Sequence, residues 1–182
     1  ATGGAERYDF LLLATGGAPR RPELEGTELE GVFTLRSLQD GIDLRSFIDC
    51  RKPRRAAIIG TGFIGMEMVE AFLKRGVEVV LFGRSQNILT SFDPTFAAPL
   101  LDDLRRRKVE FVTGSQIRGL VGEEGRVCGV TTDGKNWDVD LVLLAVGLAP
   151  GSELARGAGV VCGASGGVVV DDRMKTNVAG IY

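Results

Sequence analysis

The chain is 182 residues long, enough for one domain with extra pieces and a real buried core. Its 22 Lys and Arg against 24 Asp and Glu leave no basic excess, which argues against nucleic acid as a partner. It has no histidine, which removes the usual general base, the usual metal ligand and any Ser-His triad, so the chemistry points to a bound cofactor.

The apolar runs fall far short of a membrane span and no secretory signal opens the chain, so a cytoplasmic protein without membrane contact is expected. The three cysteines, Cys50, Cys128 and Cys162, lie far apart with no CxxC. They read as reduced thiols, with no disulfide frame and no metal site.

In chain order, Tyr8 to Ala14 (YDFLLLA) predicts a buried strand, and residues 16–31, rich in Gly and Pro, a loop. Ser37 to Arg51 predicts an amphipathic helix, closed by the basic run Arg51-Lys52-Pro53-Arg54-Arg55, read as a solvated helix end and turn. Ala56 to Gly60 is then a strand, Phe63 to Arg75 a helix, and Val77 to Phe82 a strand entered through Gly76. Asp93 at an N-cap and Pro94 at the first helical position announce a second helix, which runs to the cations Arg105 to Lys108. Val109 to Thr113 is the next strand. From Gln116 to Trp137 short alternating runs, with turns at Gly122 to Gly125 and Asp133-Gly134, predict an antiparallel meander. Asp140 to Val146 returns to a fully apolar strand, and Gly167 to Asp171 is one more short strand. The expectation is an α/β fold: a Rossmann-like parallel sheet with helices on both faces, plus the meander.

Within it, Gly60, Gly62 and Gly65 have dinucleotide-binding spacing, directly after a strand and opening a helix, and a second strand closes the unit. Gly60 permits the tight turn, Gly62 lets the backbone approach a pyrophosphate, and Gly65 lets the helix pack closely on the sheet. The helix N-terminus offers unpaired N–H groups to the phosphates. The alternative use of these glycines is tight packing alone. A second feature is a repeat: DFLLLATGGAP at 9–19 and DLVLLAVGLAP at 140–150 share Asp, Leu, Leu, Ala, Gly, Ala and Pro in place. It reads as an internal duplication in which each copy closes one nucleotide-binding domain, or as two strand ends alike by chance.

With these residues the chain resembles the pyridine nucleotide-disulfide oxidoreductases, flavoproteins with two dinucleotide-binding domains. YDFLLLATGGAP looks like the strand and turn leading out of the flavin domain, and GVVVDDRMKTNVAGIY like the strands re-entering it. The resemblance implies three pieces: residues 1–20 from the flavin domain, an NAD(P)H-binding domain over 21–150, and returning strands over 151–182. It implies an enzyme that passes hydride from NAD(P)H to FAD and on to a disulfide, oxygen or a small electron carrier. The family's first flavin-binding glycine turn and its closing Gly-Asp are missing, so FAD is expected in a full-length parent only and this fragment alone is expected to be inactive. Its partners would be the nicotinamide dinucleotide and the missing flavin domain. The flanking apolar strands, without that domain, would pair with each other, join a second copy as a homodimer, or stay free.

The resemblance also implies site residues. The turn Gly60-Thr61-Gly62-Phe63-Ile64-Gly65 contacts the dinucleotide, as do Thr15 and Gly16 in the first Ala-x-Gly turn and Val146 and Gly147 in the second. Phe63 matches the bulky position beside the flavin that moves aside for nicotinamide; its bland reading is packing at a helix start. Glu67 matches an acid by the nicotinamide–flavin junction; its bland reading is an acid in a helix's first turn. The redox-active cysteine pair of the disulfide reductases fits none of the three cysteines, which leaves disulfide reduction open. A non-catalytic redox-sensing module and a methyltransferase are the rival readings. The meander and the repeated strand ends argue against the latter.

An NAD-preferring site carries an acid at the end of the second strand, about 20 residues past the glycines, for the ribose 2′-hydroxyl. Here that position is Gly83, followed by Arg84 and Ser85. The planar guanidinium suits a 2′-phosphate and the serine adds a donor, which favours NADP(H). Gly65, an alanine in some NADP-preferring relatives, stands against this, and Arg84 as a solvated turn residue is the bland alternative.

Overall fold

The computed structural model describes residues 3–182, so residues 1 and 2 of the piece expected over 1–20 lie outside the described residues. In chain order the elements are β1 (Gly17–Pro19), β2 (Val32–Thr34), α1 (Leu38–Arg51), β3 (Arg55–Ile59), α2 (Phe63–Lys74), β4 (Glu78–Gly83), α3 (Pro94–Arg106) and β5 (Glu110–Thr113). They continue with β6 (Ile117–Glu123), β7 (Arg126–Thr132), β8 (Lys135–Asp138), β9 (Leu141–Leu144), β10 (Leu148–Pro150) and α4 (Glu153–Gly157). Two compact units result, one over Pro19–Gly147 and one joining the stretch up to Ala18 with Leu148–Tyr182.

The larger unit is built on a five-stranded sheet in the order β2-β9-β3-β4-β5, every pair parallel. Strands β3, β4 and β9 read as near-continuous apolar runs because both of their faces are covered. The period-2 alternation sorts their side chains into two layers. Ala56, Ile58, Val79, Leu81, Leu141 and Leu143 pack with Leu44 and Ile48 of α1, Val69 and Phe72 of α2, and Ala97 and Leu104 of α3. Ala57, Ile59, Val80, Phe82, Val142 and Leu144 pack instead with Leu120, Val127, Val130 and Trp137 of the antiparallel β6-β7-β8 sheet. The α/β class, the parallel sheet and the meander are as expected, but helices on both faces are not. All three long helices share one face, because the crossover from β5 to β9 is a meander whose apolar side covers the other. Its turns are the two-residue pairs Glu124-Gly125, both with positive φ, and Asp133-Gly134.

Helix α1 starts with a capping box. The Ser37 hydroxyl accepts the Asp40 N–H at 3.1 Å, and Asp40 Oδ2 accepts the N–H groups of Ser37 and Arg36 at 2.8 Å each. Those two bonds, Ser37 first, hold the Asp40 carboxyl below its ordinary range. The stabilisation is thus present above the unfolded value and is lost as pH falls through the lowered one. Ser37→Ala removes the hydroxyl that accepts the Asp40 N–H and keeps the two backbone bonds to the carboxylate, and is expected to lower stability by about 1 kcal/mol in chemical denaturation. The basic run beyond the helix is less solvated than expected. Pro53 is buried, Arg51 reaches Glu30 at 2.7 Å, and Arg55 pairs with Glu110.

The smaller unit departs most from expectation. Tyr8 to Ala14 is not a buried strand: it makes one isolated parallel bridge, Leu11 to Ile181, flanked by Leu13 N–H to the Tyr182 carbonyl. Leu11 and Leu13 pack on Ala155, Val160 and Ile181, while Tyr8, Phe10 and Leu12 face solvent. An apolar run with a single short pairing partner can bury only alternate side chains. Gly167 to Asp171 likewise reduces to one bridge, Cys162 to Val168. Conversely, β1 and β10 pair as a two-stranded ribbon inside what were expected to be loops, and β2 and α4 carried no sequence signal strong enough to predict.

Candidate functional site

The glycine turn lies between the end of β3 and the start of α2 in the larger unit. Gly60 has φ of +120° and a Cβ there would stand 2.2 Å from the Ala145 carbonyl oxygen, so the chain turns hard against the end of β9. Gly65, in the first turn of α2, meets the Gly60 carbonyl: a Cβ would be 2.1 Å away. Both glycines are thus explained by packing. Gly62 is not. It has an ordinary φ of −79°, and a Cβ on it would meet nothing within 4 Å. It is also the N-cap of α2 and brings no side-chain cap, so the first-turn N–H groups lack one. An open backbone at an uncapped helix start, with no acid in the first turn, is a cradle for an anion.

Around that cradle the described residues supply three further parts. The end of β4 places Gly83, then Arg84 and Ser85. Arg84 is exposed and makes no hydrogen bond or ion pair among the described residues. The Ser85 hydroxyl accepts the Asn87 N–H at 3.2 Å, which leaves its own proton free to donate. The segment that follows folds back: Ile88 is fully buried, and the Leu89 N–H donates to the Thr61 carbonyl at 2.9 Å. Beyond the end of β9, Val146 N lies within 3.4 Å of a Cβ built on Gly60, and Gly147, with φ of +95°, accepts the Arg20 N–H at 2.9 Å.

Phe63 is 58% exposed at the first position of α2, and its ring meets that of Phe92 edge to face with centroids 5.5 Å apart. Ile64 is exposed beside it. Glu67 lies four residues after Phe63, on the same helix face, exposed and without a hydrogen bond or ion pair among the described residues. It is in the second turn and not the first, so the dipole reading expected for it does not hold. Thr15 and Gly16 belong to the smaller unit, where Gly16 has φ of +66° and accepts the Gly151 N–H at 2.8 Å while the Thr15 hydroxyl donates to the Gly151 carbonyl.

Three neighbours of the site carried no signal in the sequence: Leu89 and Phe92 beside the turn, and Phe111 beside Gly83. Leu89 acts through its backbone, which no residue type announces, and it holds an unusual φ of +48° for a leucine. Phe92 precedes the predicted N-cap Asp93 and had no visible reason to face Phe63. Phe111 was read only as a strand residue. Among the described residues no group of His, Cys, Asp and Glu is placed to hold a metal, and no helix is long and apolar enough to cross a membrane.

The family model described as pyridine nucleotide-disulphide oxidoreductase matches residues 2–182. A curated relative, the CoA-dependent NAD(P)H sulfur oxidoreductase of Pyrococcus furiosus, is 35% identical over 175 residues, covering 96% of this chain and 39% of its own length. The solved ferredoxin reductase of Rhodopseudomonas palustris superposes with a TM-score of 0.92 at 28% identity, covering all of this chain and 44% of that one. An engineered water-forming NADPH oxidase made from a Lactobacillus brevis enzyme, solved with NADPH, gives a TM-score of 0.85 at 25% identity, covering 97% of this chain and 39% of that one. The chain thus spans about two-fifths of the length of the curated relatives it matches.

Proposed function

The chain belongs to the pyridine nucleotide-disulphide oxidoreductase family, and on that footing we propose that it is the nicotinamide-dinucleotide-binding part of an FAD-dependent NAD(P)H oxidoreductase, with NADP(H) as its preferred dinucleotide. The observation that carries this is the open Gly62. Among the described residues it has no protein atom opposite it; it sits between two glycines that packing requires, and caps a helix with no side chain of its own. The pyrophosphate of a dinucleotide fits such a cradle through backbone N–H groups.

Each part of the chain has a task in this reading. Gly60 and Gly65 hold the turn rigid, Gly62 and the first N–H groups of α2 receive the phosphates, and Val146 and Gly147 border the turn from the end of β9. Phe63 and Glu67 share one face of α2, where they would stand beside the nicotinamide half. When bound, the dinucleotide supplies a hydride and the flavin accepts it; the protein's share is binding and orientation. The relatives named above act on sulfur with coenzyme A and on ferredoxin, and these set the acceptor classes to try first for the longer protein.

The preference for NADP(H) rests on Gly83-Arg84-Ser85. No carboxylate there repels a 2′-phosphate, and Arg84 has no competing partner among the described residues. The engineered oxidase supports this reading. Three of its five substitutions fall on consecutive positions and place Ala-Arg-Ser where Asp-Ala-Met stood. They begin eighteen positions after a glycine-to-alanine exchange, the same separation as Gly83 from Gly65 here. Arg84→Ala is expected to weaken NADPH binding by about 1.5–3 kcal/mol, the scale of a charge-assisted bond, and to leave NADH nearly unchanged in calorimetric titrations. Equal losses for both dinucleotides would remove Arg84 from the site.

A further inference from the structure

The glycine at position 83 has no backbone reason to be there. It does not hold a positive φ, so any residue could adopt its conformation. What it lacks is room. A Cβ on Gly83 would stand 2.8 Å from Thr61 Cγ2, 3.0 Å from Phe111 Cε2 and 3.3 Å from the Ser85 carbonyl oxygen. The first of these is closer than real Cβ contacts come, and it is made by the second residue of the glycine turn.

Thr61 is poorly placed to retreat. Its carbonyl accepts the Leu89 N–H at 2.9 Å, and the adjacent Ile88 side chain is fully buried, which ties the segment after β4 to the turn. Its β-branched side chain has few rotamers to choose from. Phe111 is held on β5, where it lies opposite Leu81 in the parallel ladder. The end of β4 is therefore closed by side chains on two sides and by its own backbone on the third.

We propose that Thr61 is a specificity-determining residue of the dinucleotide site. By filling the space over Gly83 it bars the carboxylate that would bind an unphosphorylated ribose, and so leaves the 2′-position to Arg84 and Ser85. This rests on reading residues 60–65 as the dinucleotide turn. Its consequence is that the acid of an NAD-preferring site cannot be installed by one substitution: Gly83→Asp needs Thr61 trimmed as well.

The test compares wild-type protein with Thr61→Ser, Gly83→Asp and the double variant, reading Tm and the Kd for NADH and NADPH. Gly83→Asp alone is expected to lower Tm by several degrees and to improve NADH binding less than about threefold. Adding Thr61→Ser, which removes only the methyl, is expected to recover most of the Tm loss and to tighten NADH at least about tenfold over Gly83→Asp alone. Should the aspartate variants fail to fold, Gly83→Ala with and without Thr61→Ser reads the same coupling in Tm. Gly83→Asp binding NADH tenfold tighter at unchanged Tm would overturn the proposal, as would a double variant no better than the single one or additive effects in the alanine pair. Any of these three results with NADPH still bound by the wild type sinks Thr61's role alone; wild-type protein that binds neither dinucleotide sinks the reading beneath it too.

Discussion

Gly60→Ala is expected to destabilise the protein by about 3–5 kcal/mol, among the larger effects of a single methyl group. Two independent causes add. The backbone at Gly60 holds φ of +120°, a region that side chains rarely enter, and the added Cβ would lie 2.2 Å from the Ala145 oxygen and 2.7 Å from its carbonyl carbon. Neither neighbour can yield, because Gly60 donates to the Phe82 carbonyl at 2.9 Å and Ala145 donates to the Ile59 carbonyl at 2.8 Å. These bonds continue the β3–β4 and β3–β9 ladders, so relief of the clash would part the centre of the sheet. For a chain of this size the loss corresponds to a fall in Tm of roughly 6–20 °C in a thermal melt. A fall of only a degree or two would mean that the turn is not pinned between these strands.

Gly62→Val is expected to do the reverse: keep the fold and lose the ligand. Position 62 has an extended conformation that valine favours, with φ of −79° and ψ of −172°, and among the described residues no atom lies within 4 Å of the added Cβ. Stability should fall by no more than about 1 kcal/mol, the cost of an apolar residue in place of glycine at the N-cap of α2. The same empty space is where a pyrophosphate would approach the helix start, so NADH and NADPH should both weaken by at least about tenfold, or 1.4 kcal/mol. This pattern differs from that of Arg84→Ala, which separates the two dinucleotides. Unchanged binding of both by a folded Gly62→Val variant would place the ligand elsewhere.

The parts legible in the sequence were those whose signals are local. The Gly60-x-Gly62-x-x-Gly65 spacing between a strand and a helix, Asp93 as an N-cap followed by Pro94, and the turns at Gly122 to Gly125, narrowed to Glu124-Gly125, and at Asp133-Gly134 each depend on a few adjacent residues and appear where expected. What the sequence hid depends on partners far along the chain. Tyr8 to Ala14 has the composition of a central strand, yet a strand needs two neighbours to bury both faces, and this one pairs only briefly with residues 181 and 182. The layer opposite the helices could not be read because the apolar side of a meander looks the same whether it covers a sheet or stands alone. Within the site, the lack of an acid at Gly83 was visible, but its cause was not. Only the folded chain brings Thr61 and Phe111 against it.

The proposed site takes a nicotinamide dinucleotide at the turn between β3 and α2 and prefers the 2′-phosphorylated form. Calorimetric titration of the wild-type chain with NADPH and with NADH, at one salt concentration, tests it most directly. One site is expected for each, with NADPH tighter by at least about tenfold, the share of one charge-assisted contact. NADH binding as tightly as NADPH or tighter would contradict the preference, and no binding of either would contradict the site.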